Sequence, residues 1–221
     1  MSNAANDEAV VFVIDDSDDV RRGLRALVES VGLQCEVFEL PKSFLKRDIG
    51  KRPCCLLLDV RFPEISGLDF QIELAGRSRY IPTIIMTGHG DIAMSVKAMK
   101  AGAIEFLTKP LREQDVLDAI YSALDRDRVH LATEERLTNL RVRFETLSGR
   151  EREILPLVTA GLLNKQVAGE VGLSEVTVKV HRHNLMQKLG AKSLPELVRM
   201  ADLLEVRRAS RDASHKVSNG K

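Results

Sequence analysis

No stretch of these 221 residues holds the roughly 18 consecutive apolar residues that a membrane-spanning helix requires, and no apolar run near the start resembles a signal peptide. Membrane insertion and export are not expected, and a cytoplasmic setting is. Cysteine is scarce: there are three, an odd number, and Cys54 and Cys55 are adjacent at the start of an apolar run. That usage excludes a disulfide scaffold and fits reduced, buried thiols. Net charge is nearly absent at +1, but the balance is not uniform. Residues 1–130 hold 17 Lys/Arg against 21 Asp/Glu, whereas residues 131–221 hold 16 against 11. A basic second half suits a polyanionic partner, although a solvated surface would satisfy the same charge. A hydrophobic share of 44% and a charged share of 29% describe a soluble globular chain, and the length favours two domains.

What is present is a series of short apolar runs that end in polar side chains. Val10–Ile14 stops at Asp15-Asp16, Cys55–Leu58 at Asp59, Thr83–Met86 at Thr87, and Glu105–Thr108 at Lys109-Pro110. With Cys35–Phe38 they make five candidate strands, separated by amphipathic stretches such as Val20, Leu24, Leu27, Val28 and Val31. A short helix is expected over Pro41–Arg47. The alternation predicts an α/β doubly wound, five-stranded parallel sheet. Ligand sites in such sheets lie beyond the carboxyl ends of the strands, where these polar groups fall.

Read singly, an aspartate or threonine there is more often a cap, and a lysine a surface charge. Together they form a constellation. Three carboxylates converging on one edge repel each other unless a cation lies between them, and oxygen donors are what Mg²⁺ prefers. Such an ion, the Lys109 ammonium and the Thr87 hydroxyl would surround a phosphoryl group in transfer to a carboxylate. Asp59, alone at the end of a central strand, is the candidate nucleophile. Asp15 and Asp16, with Asp59, are the candidate metal ligands.

These positions also carry a resemblance. DD at 15–16, LLLDVRFPEISGL at 56–68, IIMTGHGD at 84–91 and KAGAIEFLTKP at 100–110 resemble a response-regulator receiver domain over residues 8–127. The resemblance implies the flavodoxin-like strand order 2-1-3-4-5. It also implies Asp59 as phospho-acceptor and Mg²⁺ on Asp15, Asp16 and the Val60 carbonyl. Thr87 and Phe106 would be a switch pair, and Lys109 a phosphate-contacting lysine before a cis proline. Without the resemblance, Phe106 reads as core.

No glycine or proline interrupts the chain between Leu124 and Leu147, and Leu137, Leu140, Phe144 and Leu147 recur at helical spacing. A helical linker over residues 128–146 is expected. Beyond it, residues 147–205 read as a small all-α domain of four helices with a helix-turn-helix at its centre. Ser148-x-x-Glu151 and Ser193-x-x-Glu196 have the form of capping boxes, and Asn164 that of a cap. Pro156 inside the first helix predicts a kink or local adjustment. In the helix after Ser174, Val178, Leu185 and Leu189 face the core, with His181 packing alongside. Lys179, Val180, His183 and Gln187 face away, flanked by Arg182 and Lys188. A helix fits the DNA major groove, where lysine can bond guanine and valine can touch a thymine methyl. Arg182 and Lys188 would neutralise phosphates. Residues 206–221 lose periodicity and read as a disordered tail.

LSGREREIL, NKQVA and LSEVTVKVHRHNLMQKL, within residues 147–201, resemble a LuxR-type helix-turn-helix domain. That resemblance places Lys179, Val180 and His183 at base-facing positions. A receiver joined to such a domain resembles the FixJ-type subgroup of two-component response regulators. It implies a phosphorylation-controlled transcription regulator whose partners are a histidine kinase and double-stranded promoter DNA. Phosphorylation would give a homodimer through the surface near Val96, Met99 and Lys100, and there is room for RNA polymerase as a further partner. No second acid–base group suggests turnover of an external substrate, so enzyme activity is not expected. A phosphorylation-independent DNA-binding protein, with the receiver as dimerisation scaffold, is the alternative.

Overall fold

Alternate residues of each central strand fill opposite cores, which is why the apolar runs are continuous rather than alternating. In the computed structural model, which describes residues 9–63, 65–77, 79–88 and 92–206, the chain forms two compact units that divide after Ala132. The first is built in the order β1 (Val10–Ile14), α1 (Asp18–Ser30), β2 (Gln34–Phe38), α2 (Pro41–Phe44), β3 (Cys54–Asp59), α3 (Gly67–Ala75), β4 (Thr83–Thr87), α4 (Ile92–Lys100) and β5 (Glu105–Thr108). Helix α5 (Glu113–Glu145) follows. The strands pair in parallel in the order β2-β1-β3-β4-β5, the expected topology.

Val11, Val13, Cys55 and Leu57 pack on one face with Leu24 and Val28 of α1 and Val116, Ile120 and Leu124 of α5. Val10, Phe12, Ile14, Leu56 and Leu58 pack on the other with Phe44 and Phe70. Each fully buried aliphatic or aromatic side chain contributes about 1.5–3 kcal/mol from lost water contact. Phe44 meets Phe12, Phe38 and Phe70 edge-on, at centroid distances of 5.2, 5.4 and 6.4 Å. Below the sheet, the buried Asp127 carboxylate accepts from Arg79 at 2.6 and 2.9 Å and from the Cys54 N–H at 2.8 Å. This ties α5 to the start of β3. The three cysteines are free, and burial pushes the Cys35 and Cys54 thiols up to about 12, so they stay protonated.

Helix α2 is a single turn, shorter than expected over Pro41–Arg47. Arg47 reaches sideways instead, closing a two-pronged bond to Glu36 of β2 at 2.7 and 2.8 Å.

The second unit takes in the end of α5 with α6 (Gly149–Thr159), α7 (Asn164–Val171), α8 (Glu175–Leu189) and α9 (Leu194–Leu203). Its core begins at Leu140, upstream of residue 147, and continues through Ile154, Leu155, Val167, Val178, Leu185 and Leu197. Residues 128–145 continue helix α5, and its last two turns are part of this core. Ser148 and Glu151 form the full capping box, bonding each other's backbone N–H. At α9 the box is only half formed: Ser193 accepts from Glu196 N–H, but Glu196 turns to the N–H of Lys192. Leu163, not Asn164, occupies the cap position of α7, and its N–H is taken by Gln166 Oε1 at 2.8 Å. Helix α6 runs on through Pro156, where the lost donor would have served the carbonyl of exposed Arg152. Gly172 (φ 67°) and Gly190 (φ 79°) end α7 and α8 in the left-handed region that glycine enters without strain. The expected tail lies, from residue 207, outside the described residues, as do His89–Asp91 of the TGHGD motif.

Candidate functional site

Four strand ends meet above the sheet. Asp15 follows β1 and Asp59 closes β3; their exposures are 0% and 4%. Lys109, just after β5 and before a cis Pro110, places its ammonium 2.7 Å from Asp15 Oδ2 and 2.7 Å from Asp59 Oδ1. The remaining oxygens are used by the backbone: Ser17 N–H donates to Asp15 Oδ1 at 3.0 Å, and Arg61 N–H to Asp59 Oδ2 at 2.7 Å. Thr87 is fully buried at the end of β4, and its carbonyl accepts from Lys109 N–H at 2.7 Å. Close approach of α3 completes the wall. A Cβ on Gly67 would fall 2.0 Å from the Asp59 carbonyl oxygen, so only glycine fits there.

The electrostatics follow from this burial. Desolvation pushes the Asp15 carboxyl above the ordinary carboxylate range, and the bonds from Lys109 and Ser17 offset it only in part. Burial pulls the Lys109 ammonium down, but its two carboxylate partners outweigh that and hold it above the ordinary lysine value. The pocket therefore keeps a fixed cation between two buried carboxylates.

Asp16, expected as the third ligand, is exposed beside the buried Asp15. Among the described residues no three His, Cys, Asp or Glu side chains converge as a metal-holding group. The Val60 carbonyl, implied as a backbone ligand, accepts from the Gly67 N–H at 2.8 Å and keeps a second lone pair. The donor chemistry nonetheless suits Mg²⁺. All the side-chain donors are hard carboxylate oxygens, and a positive group already lies between two of them. Phe106 is half-buried against the core that contains Phe12 and Phe70.

On α8, Val178, Leu185 and Leu189 are buried and His181 is half-buried, as expected of the core side. Lys179, Val180 and His183 are exposed together on the opposite face. The flanking cations have partners inside the unit: Arg182 bonds Asn164 Oδ1 at 3.2 Å, and Lys188 bonds Glu151 Oε2 at 2.7 Å.

Residues 11–121 match the response regulator receiver domain, and residues 145–201 match the luxR family of bacterial regulatory proteins. The chain belongs to the response regulators. Its type is that of FixJ, a receiver followed by a LuxR-type DNA-binding domain, and it is a phosphorylation-controlled DNA-binding regulator by that membership. It is 47% identical over 202 residues to Nodulation protein W of Bradyrhizobium diazoefficiens, covering 91% of this chain and 89% of that protein. To the transcriptional regulatory protein FixJ of Azorhizobium caulinodans it is 42% identical over 196 residues, covering 89% and 93%. The solved structure of response regulator StyR superposes with a TM-score of 0.76 at 47% identity, over 88% of this chain and 98% of that one.

For this response regulator, reading the sequence missed four contributors. Ser17 and Arg61 act through backbone N–H groups, which residue type does not advertise. Arg21 folds back onto the Asp15 and Asp16 carbonyls, whereas its place one turn into a charged helix reads as a solvated cation. Val176, at 73% exposure, extends the apolar part of the exposed α8 face by one turn from Val180 at 53%.

Proposed function

We propose that Asp59 is the phospho-acceptor and that a histidine kinase is the donor. A carboxylate oxygen of Asp59 bonds to phosphorus as the bond from phosphorus to the kinase imidazole nitrogen breaks, and the imidazole leaves with that electron pair. The observation that carries this reading is the Lys109 ammonium held at 2.7 Å from both Asp15 and Asp59. Once Asp59 carries the phosphoryl group as an acyl phosphate, its interaction with Lys109 is replaced by one between the ammonium and the phosphoryl oxygens. The Thr87 hydroxyl donates to another of them, and Phe106 moves inward as Thr87 shifts. Mg²⁺ held by Asp15, Asp16 and Asp59 would neutralise the charge that develops on the phosphoryl group.

The exposed apolar side chains Ile92, Val96 and Met99 of α4 then form the dimer face. Two copies of α8 enter successive major grooves of promoter DNA, about one turn apart. Lys179, Val180 and His183 meet base edges, and Arg182 and Lys188, steadied by Asn164 and Glu151, lie beside the phosphates. The protein works in the cytoplasm, and contact with RNA polymerase belongs to this reading. Duplexes selected from a random pool test it. Phosphorylated protein should bind about tenfold tighter than unphosphorylated protein, and Asp59→Asn and Lys179→Ala should each remove the tight complex. Equal affinity before and after phosphorylation contradicts the reading.

A further inference from the structure

The Arg21 side chain is only 14% exposed, although its helix is otherwise charged and solvated at this end. Its Nη1 donates to two consecutive backbone carbonyls, Asp15 at 2.7 Å and Asp16 at 2.9 Å. Nη2 donates to Asp18 Oδ1 at 3.2 Å, which fixes the plane of the guanidinium. Asp15 N–H is held by the Phe38 carbonyl, so the backbone on both sides of Asp15 is pinned. Fixing two successive carbonyls sets the backbone angles between them, and so the direction in which the exposed Asp16 side chain leaves the loop. The Asp16 side chain is exposed, and its reach toward Asp15 and Asp59 depends on that backbone.

We infer that Arg21 is a positioning residue for divalent-cation binding, holding the Asp15–Asp16 backbone so that the Asp16 carboxylate joins Asp15 and Asp59 as an oxygen ligand. The inference rests on the metal reading made under Proposed function. Its sign is distinctive. A cation beside three carboxylates competes with a metal, so on charge alone removing Arg21 would tighten metal binding. Positioning requires the opposite.

Mn²⁺ is a suitable probe, because it takes the same octahedral oxygen environment and its unbound form is read directly by electron paramagnetic resonance. Titrated against the full-length chain, Arg21→Met is expected to raise the Mn²⁺ dissociation constant about tenfold. Arg21→Lys, which keeps the charge but loses the two-pronged reach, should raise it by less. Arg22→Met removes an equal charge one residue along without touching the loop, and should bind Mn²⁺ as tightly as wild type or tighter. Unchanged or tighter binding in a folded Arg21→Met overturns the inference. If that variant does not fold, wild-type affinity in Arg21→Lys overturns it instead. Failure of the wild type to bind Mn²⁺, or binding that survives Asp15→Asn, strikes at the metal reading and takes this inference with it.

Discussion

Asp15 is held at an electrostatic cost, and that cost can be measured. Its carboxyl is raised above the ordinary range chiefly by burial, with Lys109 and Ser17 compensating in part. A carboxyl whose folded value lies above its unfolded one favours folding only while protonated. That contribution is complete below the unfolded value, about pH 3.9, and is lost as pH rises through the folded value. At neutral pH the charged Asp15 therefore lowers stability. Asp15→Asn is expected to raise the melting temperature of the receiver at pH 7 by about 4 °C, the equivalent of about 1 kcal/mol. The gain should shrink as pH falls toward 4, and a lower melting temperature at pH 7 contradicts the account. Asp15, Asp59, Thr87 and Lys109 were legible because each ends an apolar run, and strand ends of a parallel sheet lie together. Arg79 and Asp127 were not, since they meet across 48 residues and neither interrupts a local pattern. Asn164 looked like a cap by type, but its amide oxygen serves Arg182 and the cap position falls one residue earlier.

Two elements are set by single close contacts. The first turn of α3 lies against the end of β3 because Gly67 has no Cβ, the nearest atom to such a Cβ being backbone. Backbone cannot swing aside as a side chain can, so Gly67→Ala should cost about 1–3 kcal/mol. It should also slow phosphorylation by displacing the Asp59 end of the strand, which denaturant titration and labelling rate would show. At the other unit, Glu151 joins two helices. It caps α6 through Ser148 N–H and binds Lys188 near the end of α8, both at 2.7 Å. Burial pushes its carboxyl up, but Lys188 and Ser148 outweigh that and hold it below the ordinary glutamate value. The stability it supplies is present above about pH 4.3 and lost as pH falls through the depressed folded value. Glu151→Gln should cost the DNA-binding unit about 1–2 kcal/mol at pH 7, and little near pH 3. Thermal melts across that range decide it. The capping box was readable from its spacing. The bond to Lys188 was not, because the spacing of α8 shows which face is polar and not which cation turns back into the fold.

At the scale of the whole chain, an acidic receiver and a basic helix-turn-helix unit divide the work of receiving a phosphoryl group and binding DNA. The composition already separated them by charge, and the helical linker was readable from its apolar spacing without glycine or proline. That the last turns of α5 belong to the second core, through Leu140 and Phe144, was hidden because a heptad-like spacing suits a linker as well as a packed helix. The account rests on Asp59 accepting a phosphoryl group and on that change producing a dimer. Intact mass and oligomer size, recorded together after addition of Mg²⁺ and a small acyl-phosphate donor, test both at once, with Asp59→Asn alongside. The expected result is a labile gain of about 80 Da in wild type alone, with a shift from monomer to dimer. An equal gain in Asp59→Asn, or a gain in wild type without dimerisation, would contradict it.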